Sequence, residues 1–168
     1  MKNLVKILIV IYMVFSIHEL FAQTINPHYK KMLEVMYRKT VPLITVSEAA
    51  QLTAEAVFLD TRERAEYEVS HIKGARWVGY KDFSLSRIQS LPKQTLIIVY
   101  CSVGYRSEKV GERLLKAGFT NVRNLYGSIF EWVNQDQPVY KKQLEPTTEV
   151  HTYSRSWGKW LHKGTKVF

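Results

Sequence analysis

The feature that most constrains the fold is the run Thr-Leu-Ile-Ile-Val-Tyr at residues 95–100, which is apolar and β-branched almost throughout. It shows no alternation of polar and apolar positions, so both of its faces must be covered, as in a central strand of a parallel sheet. Shorter predicted strands occupy residues 43–46, 56–59, 75–78 and 121–125. Because segments of helical character separate them, we predict an α/β fold: a mostly parallel central sheet of about five strands, with helices on both faces.

The intervening helices are predicted from their capping and stop signals. Ser47 is the expected N-cap of the first helix. Gly118 lies where a glycine commonly ends a helix. The predicted helices cover residues 48–52, 63–69, 84–91, 107–116 and 129–134.

Residues 1–22 differ from the rest of the chain. Two lysines precede an apolar run at residues 7–17, and the segment ends on the small residue Ala22. This pattern predicts a secretory signal peptide with cleavage after Ala22, and hence an exported protein, periplasmic or secreted, with no membrane attachment after cleavage. The apolar run is shorter than the ~20 residues of a membrane-spanning helix. An uncleaved N-terminal anchor is the alternative.

Two extensions flank a predicted single domain at residues 41–140. Residues 23–40 form an N-terminal helical extension, since an amphipathic pattern begins at Pro27 and Pro42 follows it. Residues 141–168 are basic but rich in aromatic residues. Such aromatic content argues against a disordered tail, so we expect this C-terminal extension to pack on the domain.

The charge pattern bears on partners. The chain has 24 Lys plus Arg against 15 Asp plus Glu, a formal net charge of +9, but the basic residues are scattered. We therefore expect a basic solvated surface and no nucleic-acid partner. His71, His151 and His162 lack metal-ligand spacing with other ligands, so we predict no metal and no cofactor.

The only cysteine, Cys101, follows the strongest predicted strand and precedes a short loop and a helix. Ligands bind at the carboxyl ends of strands in such sheets, and a helix N-terminus presents N–H groups there. Both features, with the charge of Arg106, favour a thiolate of lowered pKa. Gly104 permits the tight turn that the loop needs. A buried structural thiol is the alternative.

Four motifs follow one another along residues 41–140. They are Leu-Asp-Thr-Arg at 59–62 with Glu-Tyr at 66–67, His-Ile-Lys-Gly-Ala at 71–75, Cys-Ser-Val-Gly-Tyr-Arg-Ser at 101–107, and Gly-Phe-Thr-Asn-Val at 118–122 with Leu-Tyr-Gly-Ser-Ile-Phe-Glu-Trp at 125–132. Together they resemble rhodanese-like domains, whose active-site loop often has the form C-x-x-G-x-R. Two departures stand out: Ser128 replaces a usual glycine, and Ser102 stands where many thiosulfate-using members have a basic residue.

The resemblance implies a rhodanese-like fold and a thiosulfate sulfurtransferase. Cys101 would take the outer sulfur of a donor such as thiosulfate as a persulfide and pass it to cyanide, a thiol or a sulfur-accepting protein. Arg106 would assist catalysis. The loop that would hold the substrate anion comprises Ser102, Val103, Gly104, Tyr105 and Arg106.

Other groups in these motifs are expected to be structural. We predict that Asp60 and Arg62 pair with each other and that Glu66 partners Arg62 or Arg106. We expect the protein to be a monomer. Two further functions stay open: a non-catalytic or partner-specific sulfur-carrier module, and a cysteine phosphatase. The phosphatases of related fold use a loop one residue longer than the loop between Cys101 and Arg106.

Overall fold

The computed structural model describes residues 25–142 and 145–168. The predicted signal peptide at residues 1–22 lies outside the described residues. Across the described ranges, no helix has the length and apolar character needed to cross a membrane.

A parallel sheet forms the centre of the fold. In the described part of the chain it contains five strands in the order β1-β5-β4-β2-β3. The strands are β1 (Leu43–Ile44), β2 (Val57–Asp60), β3 (Arg76–Trp77), β4 (Ile97–Tyr100) and β5 (Val122–Leu125). All neighbouring strands are parallel, and every residue of β4 is buried. The predicted α/β architecture is therefore confirmed, with its most apolar strand at the centre.

In the part of the chain that the structure describes, helices cover the sheet and bury two separate hydrophobic clusters. They are α1 (Pro27–Met36), α2 (Val46–Gln51), α3 (Arg64–Val69), α4 (Tyr105–Lys116) and α5 (Ser128–Asn134). Side chains of β4 alternate between the clusters: Ile98 packs in the one that contains residues of α1 and α5, whereas Val99 packs in the one that contains residues of α4. This period-two alternation explains why the whole strand is apolar.

Element boundaries differ from the sequence expectations at several places. The strand expected at residues 43–46 is shorter, since β1 ends at Ile44 and Val46 begins α2. Helix α2 is capped by Thr45, whose hydroxyl accepts a hydrogen bond from the Glu48 N–H while the Glu48 carboxylate accepts one from the Thr45 N–H. Ser47 is therefore inside the helix, and its expected role as the N-cap is wrong. Helix α4 begins at Tyr105, two residues earlier than expected, because Gly104 has a left-handed backbone (φ +112°) and is the N-cap of the helix. The helix expected at residues 84–91 is a single 3₁₀ turn, Leu85–Ile88.

The C-terminal segment adds a second layer of small elements. Strands β6 (Val139–Lys142) and β7 (Glu145–Thr147) pair antiparallel, whereas β8 (Glu149–His151) and β9 (Thr165–Val167) pair in parallel, with the short helix α6 (Arg155–Gly158) between them. Val150 and Leu161 are fully buried in the cluster that also contains α1. Trp160 stacks on Tyr29 of α1 at 5.4 Å between ring centroids. The segment is thus packed on the α1 side of the sheet.

Candidate active site

The loop between β4 and α4 places Cys101 at the carboxyl end of the central strand. Its side chain is buried, at 1% exposure. The Cys101 N–H donates to Ser128 Oγ at 3.1 Å, and its carbonyl accepts from the Ile129 N–H at 3.1 Å. The start of α5 therefore fixes both backbone groups of the cysteine.

The thiol of Cys101 faces the amides of its own loop. The Gly104 N–H donates to Sγ at 3.1 Å. A Cβ at Gly104 would collide with the Tyr37 hydroxyl, and the backbone there is left-handed, so both space and conformation require glycine. The Tyr37 hydroxyl donates to the Val103 carbonyl at 2.6 Å and accepts from the Gly127 N–H at 3.1 Å. Helix α1 and its C-cap thus help to hold the loop in place.

The electrostatics of the loop favour the thiolate. Burial opposes ionisation of Cys101, but the charge of Arg106 and the N–H groups of Ser107, Gly104 and Val103 outweigh it, so the pKa of Cys101 lies below its ordinary value. A lowered pKa places more of the cysteine in its nucleophilic form near neutral pH. The arrangement therefore activates the sulfur.

Glu66 organises the positive charge beside the sulfur. The guanidinium of Arg106 donates to both carboxylate oxygens of Glu66, at 2.7 and 2.8 Å. The Ser102 hydroxyl donates to the same carboxylate at 3.0 Å and accepts from Arg106 at 2.9 Å. Burial disfavours the charged form of Glu66, but Arg106 outweighs it, so the pKa of Glu66 is lowered. Ser102 therefore bridges Glu66 and Arg106, because its hydroxyl donates a hydrogen bond to the first and accepts one from the second.

A second ion pair lies below the loop. Asp60, at the end of β2, and Arg62 are fully buried and meet at 2.6 Å. Arg62 also donates to the Ser70 carbonyl at 2.6 Å. His71 lies next to this pair, where its ring stacks on Tyr67 at 4.1 Å and its backbone pairs with Tyr140. Asp60 and Arg62 therefore pair with each other as expected, and their structural role stays a prediction.

Aromatic side chains surround the mouth of the site. A pocket of about 220 Å³ opens over Cys101. Its lining residues are Glu63, Tyr80, Lys81, Cys101, Ser102, Val103, Tyr105, Arg106, Tyr153 and Trp157. Four of the five expected loop residues, 102, 103, 105 and 106, line this pocket. The fifth, Gly104, does not line it but donates its N–H to the sulfur. In the described ranges, no group of three or more His, Cys, Asp or Glu side chains is placed to hold a metal ion.

Several contributors were missed by the sequence interpretation. Ser128 has a left-handed backbone, φ +54°, which accounts for the glycine that is usual at this position, and it binds the Cys101 amide. Tyr37 lies 66 residues before its partner Val103, so no local pattern reveals it. Asn124 donates to the Gly104 carbonyl at 3.1 Å and accepts from the Ser107 hydroxyl at 2.7 Å. Only the serine-for-glycine replacement was a visible signal.

Comparison with known proteins agrees with this geometry. Residues 45–135 match the Rhodanese-like domain family. The chain therefore belongs to the rhodanese-like domain family, as its motifs indicated.

Curated relatives match over part of the chain. A tRNA uridine(34) hydroxylase of Hamiltonella defensa is 36% identical over 88 residues, which cover 47% of this chain and 24% of that protein. A probable adenylyltransferase/sulfurtransferase MoeZ of Mycobacterium tuberculosis is 31% identical over 81 residues, which cover 48% of this chain and 21% of that protein. The match therefore spans about a quarter of the length of these relatives or less.

Solved structures share the fold. A thiosulfate sulfurtransferase of Pseudomonas aeruginosa aligns with a TM-score of 0.57 at 24% identity, over 79% of this chain and 26% of that one. A rhodanese-related protein of Thermoplasma volcanium aligns with a TM-score of 0.54 at 22% identity, over 60% of this chain and 99% of that one. At these identities the likeness establishes the rhodanese fold alone.

Proposed function

We propose that this protein is a sulfurtransferase that carries sulfane sulfur as a persulfide on Cys101, with thiosulfate as one donor and cyanide or a thiol as the acceptor. The observation that carries the proposal is the environment of the sulfur. Cys101 Sγ accepts a hydrogen bond from the Gly104 N–H at 3.1 Å, and the pKa of Cys101 is lowered by Arg106 and the loop amides. The mycobacterial relative is a probable adenylyltransferase/sulfurtransferase, which supports the same chemistry.

The proposed reaction has two displacements. The Cys101 thiolate attacks the outer sulfur of thiosulfate, the S–S bond of the donor breaks, and sulfite leaves with the electron pair. The product is the Cys101 persulfide anion, which the loop amides stabilise as they do the thiolate. Cyanide or a thiolate then attacks the terminal sulfur and releases Cys101 as a thiolate. No oxidant or reductant is consumed from thiosulfate to thiocyanate.

The geometry disfavours phosphoryl transfer. Four residues separate Cys101 from Arg106, one fewer than in cysteine phosphatases of related fold, whose loop must hold phosphorus with its oxygens. Arg106 is held by both oxygens of Glu66, which leaves fewer of its N–H groups for the oxygens of a phosphoryl group. The site therefore suits sulfur better than phosphorus.

Paired activity assays test the proposal. With thiosulfate and cyanide we expect thiocyanate to form catalytically, and the Cys101→Ser variant to form none above the uncatalysed rate. With an aryl phosphate we expect no hydrolysis that depends on Cys101. Hydrolysis of the phosphate without sulfur transfer would instead support the phosphatase alternative.

A further inference from the structure

Two aromatic side chains from outside the matched region form part of the pocket over Cys101. Tyr153 and Trp157, here called the C-terminal wall, lie beyond residue 135, where the family match ends. The Tyr153 ring covers the Arg106 guanidinium, 5.4 Å from its central carbon to the ring centroid. Tyr153 therefore packs against the arginine of the active-site loop.

The backbone of the C-terminal wall is firmly held. Thr152, just before it, is fully buried and donates its N–H to the Val167 carbonyl at 2.9 Å. Tyr153 has a left-handed backbone, φ +64°, and its N–H donates to His151 Nδ1 at 3.0 Å. Such a conformation is unfavourable for tyrosine and persists only where the surroundings fix it. The backbone of Tyr153 is thus held in a fixed position at the edge of the pocket.

The charges at the pocket do not favour a small dianion. Among the described residues, two cationic side chains line it, Lys81 and Arg106. Two carboxylates offset them: Glu63 in the lining and Glu66 bound to Arg106. The reacting Cys101 thiolate adds a negative charge. A doubly charged donor such as thiosulfate would therefore meet no surplus of positive side-chain charge. An apolar group would instead contact the aromatic rings that line the pocket.

Resting on the proposed function, we propose that the C-terminal wall makes this site selective for organic sulfane-sulfur donors whose carrier group is apolar or aromatic. Tyr153 and Trp157 would contact the carrier group while its outer sulfur reaches Cys101. With a volume of about 220 Å³, the pocket suits a small organic group.

An aryl thiosulfonate illustrates the step. The Cys101 thiolate attacks the outer sulfur of benzenethiosulfonate, the S–S bond breaks, and benzenesulfinate leaves with the electron pair. The charge is conserved, since a thiolate and a monoanion give a persulfide anion and a sulfinate anion. Methanethiosulfonate reacts in the same way with a methyl group in place of the ring, so the two donors differ mainly in apolar size.

Rates of sulfur addition to Cys101 in the full chain test the proposal with benzenethiosulfonate, methanethiosulfonate and thiosulfate. Each rate is divided by that of free cysteine with the same donor, which removes differences in intrinsic reactivity. We expect a preference of about tenfold or more for benzenethiosulfonate over methanethiosulfonate, since apolar contacts discriminate on this scale. Thiosulfate should be the slowest of the three.

Variants of the wall connect this preference to its cause. Tyr153→Asn removes the ring, tolerates the left-handed backbone and changes a side chain that is 58% exposed, so the fold should be retained. Trp157→Leu is the second variant. Both should lower the preference several-fold. Phe168→Ala is the matched control, because Phe168 is an exposed aromatic of the same segment that does not line the pocket; it should leave the preference unchanged.

The outcomes separate this proposal from the proposed function. Equal normalised rates for the two thiosulfonates, faster thiosulfate, or a preference that survives Tyr153→Asn in a variant with unchanged thermal unfolding would each overturn the selectivity while leaving sulfur transfer intact. Failure of all three donors to add sulfur to Cys101 would overturn the proposed function and the selectivity together.

Discussion

The buried ion pair beneath the loop yields a stability prediction of definable size. Asp60 and Arg62 have no exposed side-chain surface, and Asp60 accepts hydrogen bonds from Arg62 Nε and Nη2. Arg62 also donates to the Ser70 carbonyl, while its Nη1 has no hydrogen-bond partner among the described residues. The Asp60→Asn variant would therefore leave a buried guanidinium charge without its hydrogen-bonded counter-ion.

The expected loss follows from the cost of an unpaired buried charge. Breaking a buried pair by removing one partner costs about 3–5 kcal/mol. Since domains of this kind are stable by about 5–15 kcal/mol, Asp60→Asn should remove a large fraction of the free energy of unfolding. At about 2–4 °C per kcal/mol, the midpoint of thermal unfolding should fall by roughly 6–20 °C.

Chemical denaturation of the unchanged protein and of Asp60→Asn measures this loss, and a variant of a surface aspartate is the matched control. Asp82 pairs with Arg87 at 2.9 Å on the surface, where the side chains are 54% and 31% exposed. Asp82→Asn should cost far less than Asp60→Asn, because solvent screens an exposed pair. Equal losses in the two variants would refute the argument that burial makes the Asp60 pair costly to break.

Three further predictions concern the site. Arg106→Gln should move the pH profile of Cys101 alkylation by iodoacetamide to higher pH, because it removes the cation that lowers the pKa of Cys101; an unmoved profile would contradict that cause. Ser128→Ala should lower the free energy of unfolding by about 1–3 kcal/mol, because it leaves the buried Cys101 N–H without its acceptor. Ser128→Gly should cost about 1 kcal/mol less than Ser128→Ala, because glycine tolerates the left-handed backbone. Denaturation curves of the two variants measure this difference. The pKa of Glu66 is lowered by folding, so its contribution to stability is present above its unfolded pKa of about 4.3 and is lost as pH falls through the lower folded value. In a plot of the unfolding midpoint against pH, Glu66→Gln should therefore show a smaller fall at acid pH than the unchanged protein. An equal fall would show that Glu66 does not cause the loss of stability at acid pH.

Local patterns predicted much of the framework. The uninterrupted apolar run at residues 95–100 marked the central strand, because only a strand covered on both faces has that composition. The position of Cys101 between this strand and a helix indicated the reactive end of the sheet. The cap of α2 was also open to prediction, since Thr45 and Glu48 have the spacing of a capping box.

Long-range contacts could not be predicted in this way. Tyr37 and Ser128 lie far from Cys101 in sequence, and only the fold brings their hydroxyls to its loop. The engagement of Ser102 by Glu66 depends on how α3 packs against the loop. The approach of Tyr153 to Arg106 depends on how the C-terminal segment folds back, which no local pattern specifies. Export of the chain stays a prediction from residues 1–22.

The central claim is that Cys101 carries sulfur, and the intact mass of the purified protein tests it most directly. After incubation with thiosulfate or a thiosulfonate, the mass should rise by one sulfur atom, and cyanide should return it to its original value. The Cys101→Ser variant should show no change. An unmodified mass with every donor, or a gain that persists in Cys101→Ser, would contradict the account.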